Sequence, residues 1–160
     1  MTSTEDKFKI LCSITRAAHF EWRQAFIELN PDKKPVEAVM KYWKIVGHDT
    51  AKAFLKKIKT DEAIVPQLAQ MIVDSSLAMG EDAVLEIRNN TEAHVIHHAC
   101  PWFEWHKRKN ALDEDRPGCD CWFQTIVDDF NKALNTKLKV ETLSTLPDGD
   151  LSCNRRFSVE

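Results

Sequence analysis

The sequence holds no run of eighteen apolar residues, so no segment is expected to span a membrane. Met1 to Lys9 is polar and lacks the apolar core of a secretory leader. Positive charge is not in excess: 22 Lys and Arg stand against 25 Asp and Glu, a net charge of −3. A nucleic-acid-binding chain would usually carry a basic footprint, so no nucleic-acid partner is expected. No repeat or low-complexity tract is present. The five cysteines include no Cys-x-x-Cys pair, so the spacing of a zinc knuckle is missing. Glycine occurs only four times, and Gly47, Gly80, Gly118 and Gly149 all read as helix stops or turns. What remains is a chain of 160 residues, expected as a single domain over 1–160 in the cytoplasm, with reduced thiols.

The first eighty residues read as helices. Phe8, Leu11, Ala18, Trp22, Ala25 and Leu29 recur in three- and four-residue steps once Thr15 is counted as a gap, and predict an amphipathic helix to about Leu29. A stripe that long can serve a partner helix as well as its own core, so a homodimer is one expectation. Pro35 opens a second helix with Gly47 as its stop, and a short third helix carries Phe54, Leu55 and Ile58. A fourth runs from Thr60 to Gly80, with Pro66 expected to kink it or delay its start. The character changes at Glu81. Strands are predicted at 83–88 and 93–100, a short helix from Pro101, and a loop over Ala111 to Gly118. Asp120 then caps a helix to Leu134, with Asn135 as a left-handed stop. Strands at 138–146 and 152–159 flank the turn Pro147-Asp148-Gly149-Asp150. The predicted class is α+β: N-terminal helices followed by ββααββ, with a four-stranded antiparallel sheet covered by helices.

The chemistry concentrates between Glu92 and His106, where four His, one Cys and two Trp fall within fifteen residues. Strand alternation puts His94, Ile96, His98 and Cys100 on one face and Ala93, Val95, His97 and Ala99 on the other. Pro101 suits the first helical position, which leaves Cys100 at the cap. A thiol there meets unpaired N–H groups and the positive end of the helix dipole, both of which favour thiolate. Cys100 and His98 are therefore the candidate catalytic pair, and Cys100 is expected to be the most reactive thiol. The competing reading is a buried, inert Cys beside a half-exposed His. Cys119, Cys121 and Cys153, with Cys100 or His98, form a ligand set that zinc accepts, but the spacing is irregular and no metal or other cofactor is expected. Arg155 and Arg156 are candidate clamps for a substrate carboxylate, and Trp102 is a candidate pocket wall.

Cys100-Pro-Trp, a Cys about twenty residues on, Leu138-Lys-Val-Glu-Thr-Leu, Gly149-Asp150, and Cys153 with Arg156-Phe157 together resemble the L-2-amino-thiazoline-4-carboxylic acid hydrolase family. The likeness covers about residues 92 to 160. More distantly, the layout is similar to the 4-vinyl reductase domain, a small-ligand-binding module in which some members hold zinc. The hydrolase resemblance implies opening of a thiazoline ring by water at a carbon–nitrogen double bond, and it marks Cys100, one of Cys119 or Cys121, Asp150 and Cys153. His97-His98 and Asn154-Arg155 depart from its pattern. Two functions follow: a hydrolase of a small carboxylate-bearing heterocycle or amidine-like C–N bond, and a non-catalytic module holding a small ligand in the same pocket. Either way the partner is a small molecule.

Overall fold

The computed structural model describes residues 2–159: three helices, a hairpin, two helices and a second hairpin. Helix α1 (Thr4–Leu29) starts on a capping box, in which the Ser3 hydroxyl accepts from the Asp6 N–H at 3.0 Å and the Asp6 carboxylate accepts from the Ser3 N–H. Its inward face is Cys12, Arg16, His19 and Phe20. The three-four stripe lies elsewhere: Phe8, Leu11, Trp22 and Leu29 are all exposed. No helix among the described residues is long and apolar enough to cross a membrane.

Helix α2 (Pro35–Leu55) runs straight through Gly47, joining what the sequence predicts as two helices. Gly47 is a close-approach residue and not a stop. A Cβ there would fall 2.8 Å from Thr125 Cβ, so its hydrogen lets two backbones meet. Helix α3 (Ile64–Ala78) carries Pro66 in its first turn, where a missing N–H costs nothing, and Gly80 ends it at φ +74°. Helix α5 (Leu112–Leu134) begins well before Asp120, so the expected loop at 111–118 is helical. Two facts outweigh Pro117-Gly118. Asp113, Glu114 and Asp115 fill the first turn, where carboxylates complement the dipole. Arg23 of α1 grips the buried Glu114 through two hydrogen bonds of 2.5 and 2.6 Å. Gly118 is a second notch, since its Cβ would lie 2.7 Å from Trp43 Cδ1.

The sheet is open and antiparallel in the order β1-β2-β4-β3, from β1 (Asp82–Asn89), β2 (Glu92–Ala99), β3 (Leu138–Ser144) and β4 (Cys153–Val159). Ala93, Val95 and Phe157 pack one face against Leu68 and Ile72 of α3 and Ile126, Val127 and Phe130 of α5. A second apolar cluster forms around Phe20, Trp102 and Ala111, with Trp43, Met79, Cys100 and Trp105 against it. Helix α4 (Pro101–Arg108) contributes Trp102 and Trp105 to this second cluster.

Gly47→Ala is expected to destabilise the fold by roughly 1–3 kcal/mol, as overpacking of a tight contact does. A lower urea midpoint with an unchanged m-value would show it; an unchanged midpoint would mean that α2 and α5 can separate at no cost.

Candidate active site

Where the two apolar regions meet, a cavity of about 280 Å³ opens between the sheet end and helices α2, α4 and α5. Residues from eight elements reach it, and the β2–β4 register sets His97 directly opposite Cys153, with Arg155 two residues on along the same face. Cys100 arrives as the N-cap of α4, with Pro101 at the first helical position. Cys119 comes from α5. Cys100, Cys119 and Cys153 all line the cavity, and so do Trp102 and Arg155.

Three of the residues singled out in the sequence lie elsewhere. Cys121 sits about 200° around α5 from Cys119 and turns its Sγ to the Met40 carbonyl of α2, at 3.6 Å. Arg156 projects to the opposite sheet face from Arg155 and pairs with Glu141. His98 is exposed and does not line the cavity; the strand imidazole that does is His97, 5% exposed. Alternation holds along β2, with Ala93, Val95 and His97 facing the helices. It stops at Ala99, where the chain turns into α4, so Cys100 does not inherit the face of His98.

Groups that the sequence reading passed over surround His97. Its Nε2 lies 2.9 Å from Ser76 Oγ and 3.2 Å from Glu81 Oε2, and all three residues line the cavity. Glu81 and Asp115 also reverse the expectation for Cys100. Burial, then the Glu81 carboxylate, push its thiol pKa up, with Asp115 adding to this. The backbone N–H groups of Phe103 and Trp102 oppose this, as a helix start should, but they are outweighed. Burial pushes the Cys119 thiol up as well, against the pull of Arg155. Arg155 itself is 3% exposed. Burial works against its charge, yet Cys119, Asp120 and Cys153 leave its pKa raised; Asp120 Oδ1 accepts from it at 3.1 Å. Its guanidinium also stacks 4.5 Å from the centre of the Phe123 ring.

Several buried polar atoms of the lining residues have no hydrogen-bond partner among the described residues: Arg155 Nε, Thr145 Oγ1, His106 Nε2 and Asp115 Oδ2. Asp115 Oδ2 is 2.9 Å from His106 Nδ1, close enough for an ion pair with a protonated ring, but that nitrogen is also 2.9 Å from the Trp102 carbonyl, which takes its hydrogen. Asp150 plays a structural part. Its Oδ2 accepts from the Thr145 N–H at 2.8 Å and closes the turn that contains Gly149, at φ +93°. The same turn lets the Leu146 N–H donate to Cys153 Sγ at 3.3 Å. Among the described residues no group of three or more His, Cys, Asp or Glu side chains is placed to hold a metal ion.

A family model described as L-2-amino-thiazoline-4-carboxylic acid hydrolase matches residues 12–157. The chain belongs to this family. No curated protein matches the chain. Among solved structures, the chain is similar in fold to a trafficking protein particle complex subunit 3 from Naegleria fowleri, covalently bound to palmitic acid. The two are 14% identical with a TM-score of 0.55, over 95% of this chain and 96% of that one. An H-NOX protein from S. oneidensis matches at 10% identity and a TM-score of 0.49, over 100% of this chain and 78% of that one. The phenol-responsive sensory domain of the transcription activator PoxR matches at 13% and 0.48, over 90% and 74%. These matches do not show the likeness to the 4-vinyl reductase domain.

Two predictions follow from the electrostatics. Iodoacetamide near neutral pH should alkylate Cys100 and Cys119 slowly, at rates that climb as the pH is raised; peptide mapping showing Cys100 modified first at pH 7 would contradict the raised pKa. His19 packs beside the cavity, with Tyr42 and Trp43 ring centres at 4.8 and 5.6 Å. Burial lowers its pKa from 6.5 to about 4, helped by His106 and Arg23. Between those values the unfolded chain binds a proton that the folded one does not, so stability falls as pH drops from 6.5 towards 4 and is unaffected by His19 above that window. The contribution is roughly 2–3 kcal/mol. Urea unfolding of His19→Gln should show a flatter dependence on pH across the window.

Proposed function

We propose that the cavity hydrolyses a carbon–nitrogen bond in a small cyclic amidine bearing a carboxylate, a compound like 2-amino-thiazoline-4-carboxylate. The observation that carries this reading is the meeting, in one cavity, of thiols with charges of both signs. Arg155, with an unpaired Nε, suits the substrate carboxylate. Glu81 and Asp115 suit the amidinium. Family membership supplies the substrate class.

Cys100 is the nucleophile in this reading. It rests as a neutral thiol because burial and the two carboxylates hold its pKa up. A bound amidinium adds a positive charge beside it, which favours the thiolate at the moment of attack. His97, held between Ser76 and Glu81, takes the thiol proton, in place of the exposed His98. Sulfur adds to the amidine carbon, the C=N electron pair moves to nitrogen, and that nitrogen receives the proton. The C–N bond then breaks, and water takes the carbon from sulfur and restores the thiol, so one water is consumed per turnover. Cys119, Cys153 and Trp102 bound the substrate. Cys121 and Arg156 have no place in the reaction because neither lines the cavity.

Turnover of L-2-amino-thiazoline-4-carboxylate by the purified chain is the test. Cys100→Ser should fold and lose at least about 10²-fold in kcat, and His97→Ala should lose about as much, as expected for a lost proton-transfer group. His98→Ala should stay within about twofold. A folded Cys100→Ser variant with full turnover would remove the nucleophile. The raised thiol pKa values favour one second reading, a ligand-binding module without turnover. Tight binding of the same compound with no product would establish it.

A further inference from the structure

The cavity has two unlike sides. The sheet end contributes Glu81, His97, Cys153 and Arg155, which are charged, titratable or polarizable. The helices contribute rings, Tyr42 and Trp43 from α2, Trp102 and Phe103 from α4 and Trp122 from α5, together with the charged Asp115 and Arg116 of α5. A thiazoline with one amino group and one carboxylate is nearly all polar edge. Its sulfur, one methylene and the flat face of the amidinium can meet only part of the aromatic wall.

The volume points the same way. At about 280 Å³ the cavity approaches the lower end for drug-sized ligands, roughly 300 Å³. The rings are also fixed in place and do not collapse into the space. Trp43 meets Trp102 edge to face at 5.4 Å and Tyr42 at 5.2 Å, with interplanar angles of 81° and 80°. Gly118 is the notch that seats the Trp43 indole, so the wall is braced from behind. The wall also leads outward, since Tyr42 is 42% exposed and lines the cavity together with the exposed Thr15 of α1.

We infer that the ligand of this cavity is amphipathic: a compact charged head on the sheet side joined to an aromatic substituent that lies among the rings of α2, α4 and α5 and extends towards the rim at Tyr42. The head rests on the function proposed above; the aromatic subsite does not. The substituent packs among the rings that line the cavity, and burial of apolar area favours it. Edge-to-face neighbours also set its plane.

The test uses the full chain and four probes: L-2-amino-thiazoline-4-carboxylate, its analogues carrying phenyl on ring carbon 5 or on the exocyclic nitrogen, and indole as an aromatic with no head. Affinities are read by calorimetry and by quenching of tryptophan fluorescence. At least one phenyl analogue should bind about tenfold or more tightly than the bare compound. Tyr42→Ala, a partly exposed change that the fold should accept, should pull that ratio towards one, and Trp43→Leu should pull it further. Equal affinity of the bare and phenyl compounds would overturn the aromatic subsite and leave the head assignment standing. Binding of indole, weakened by Tyr42→Ala, with no binding of any headed compound would keep the subsite and overturn the proposed function. Failure of all four to bind would overturn both.

Discussion

The packing of α2 against α5 is the contact on which the site depends. Two glycines set it. Gly47 lets the α2 backbone meet Thr125, and Gly118 lets the Trp43 indole lie against α5. Bring the helices that close and Cys119 faces the cavity while Cys121 is driven against the Met40 carbonyl. Trp43 is held as wall, and Trp122 reaches Thr50 at 3.3 Å. Separate them by one methyl group and the cavity loses its shape. The scarcity of glycine therefore reflects a chain that is mostly regular helix and strand, with glycine kept for two close contacts and two positive-φ turns, at Gly80 and Gly149.

Those glycines also explain where the sequence misleads. A lone glycine near the end of an apolar stripe and a Pro-Gly pair between polar residues are strong local stop signals, yet α2 and α5 run through both. Local signals count the cost of backbone freedom. They do not count the tertiary contact that overrides it, here a packing notch and the buried Arg23–Glu114 pair. The four strands, the capping cysteine, the turn at Gly149 and the stop at Asn135 are legible because each depends on its immediate neighbours. The site is legible in part. Cys100, Cys153, Arg155 and Trp102 can be named from motif and alternation. His97 lies one residue from His98, and parity at the end of a strand decides which of them lines the cavity. Glu81, Ser76 and Asp115 carry no local signal, since each is brought in by an element remote in the chain.

That remoteness matters for the chemistry. A cysteine at a helix start is a good thiolate site only if its other neighbours are neutral or positive. Here the helix supplies two N–H groups, while Glu81 and Asp115 supply two carboxylates and burial removes solvent. The Arg155 guanidinium answers from the far side, nearer Cys119 and Cys153, so positive charge reaches the other two thiols before it reaches Cys100. In the function proposed above, a cationic ligand would offset those carboxylates, so the charge of the ligand, more than the basicity of the sulfur, would set selectivity.

The unpaired polar atoms support the same view from the side of stability. Each buried donor or acceptor left without a partner costs about 1–3 kcal/mol. A fold that tolerated such losses at random would scatter them. Instead Arg155 Nε, Thr145 Oγ1, His106 Nε2 and Asp115 Oδ2 all belong to residues on one cavity, and the remaining pair, Arg16 Nε and His19 Nε2, lie on the inward face of α1. A ligand that offers an anion to Arg155 and a hydrogen-bond donor to Asp115 would recover part of that loss on binding.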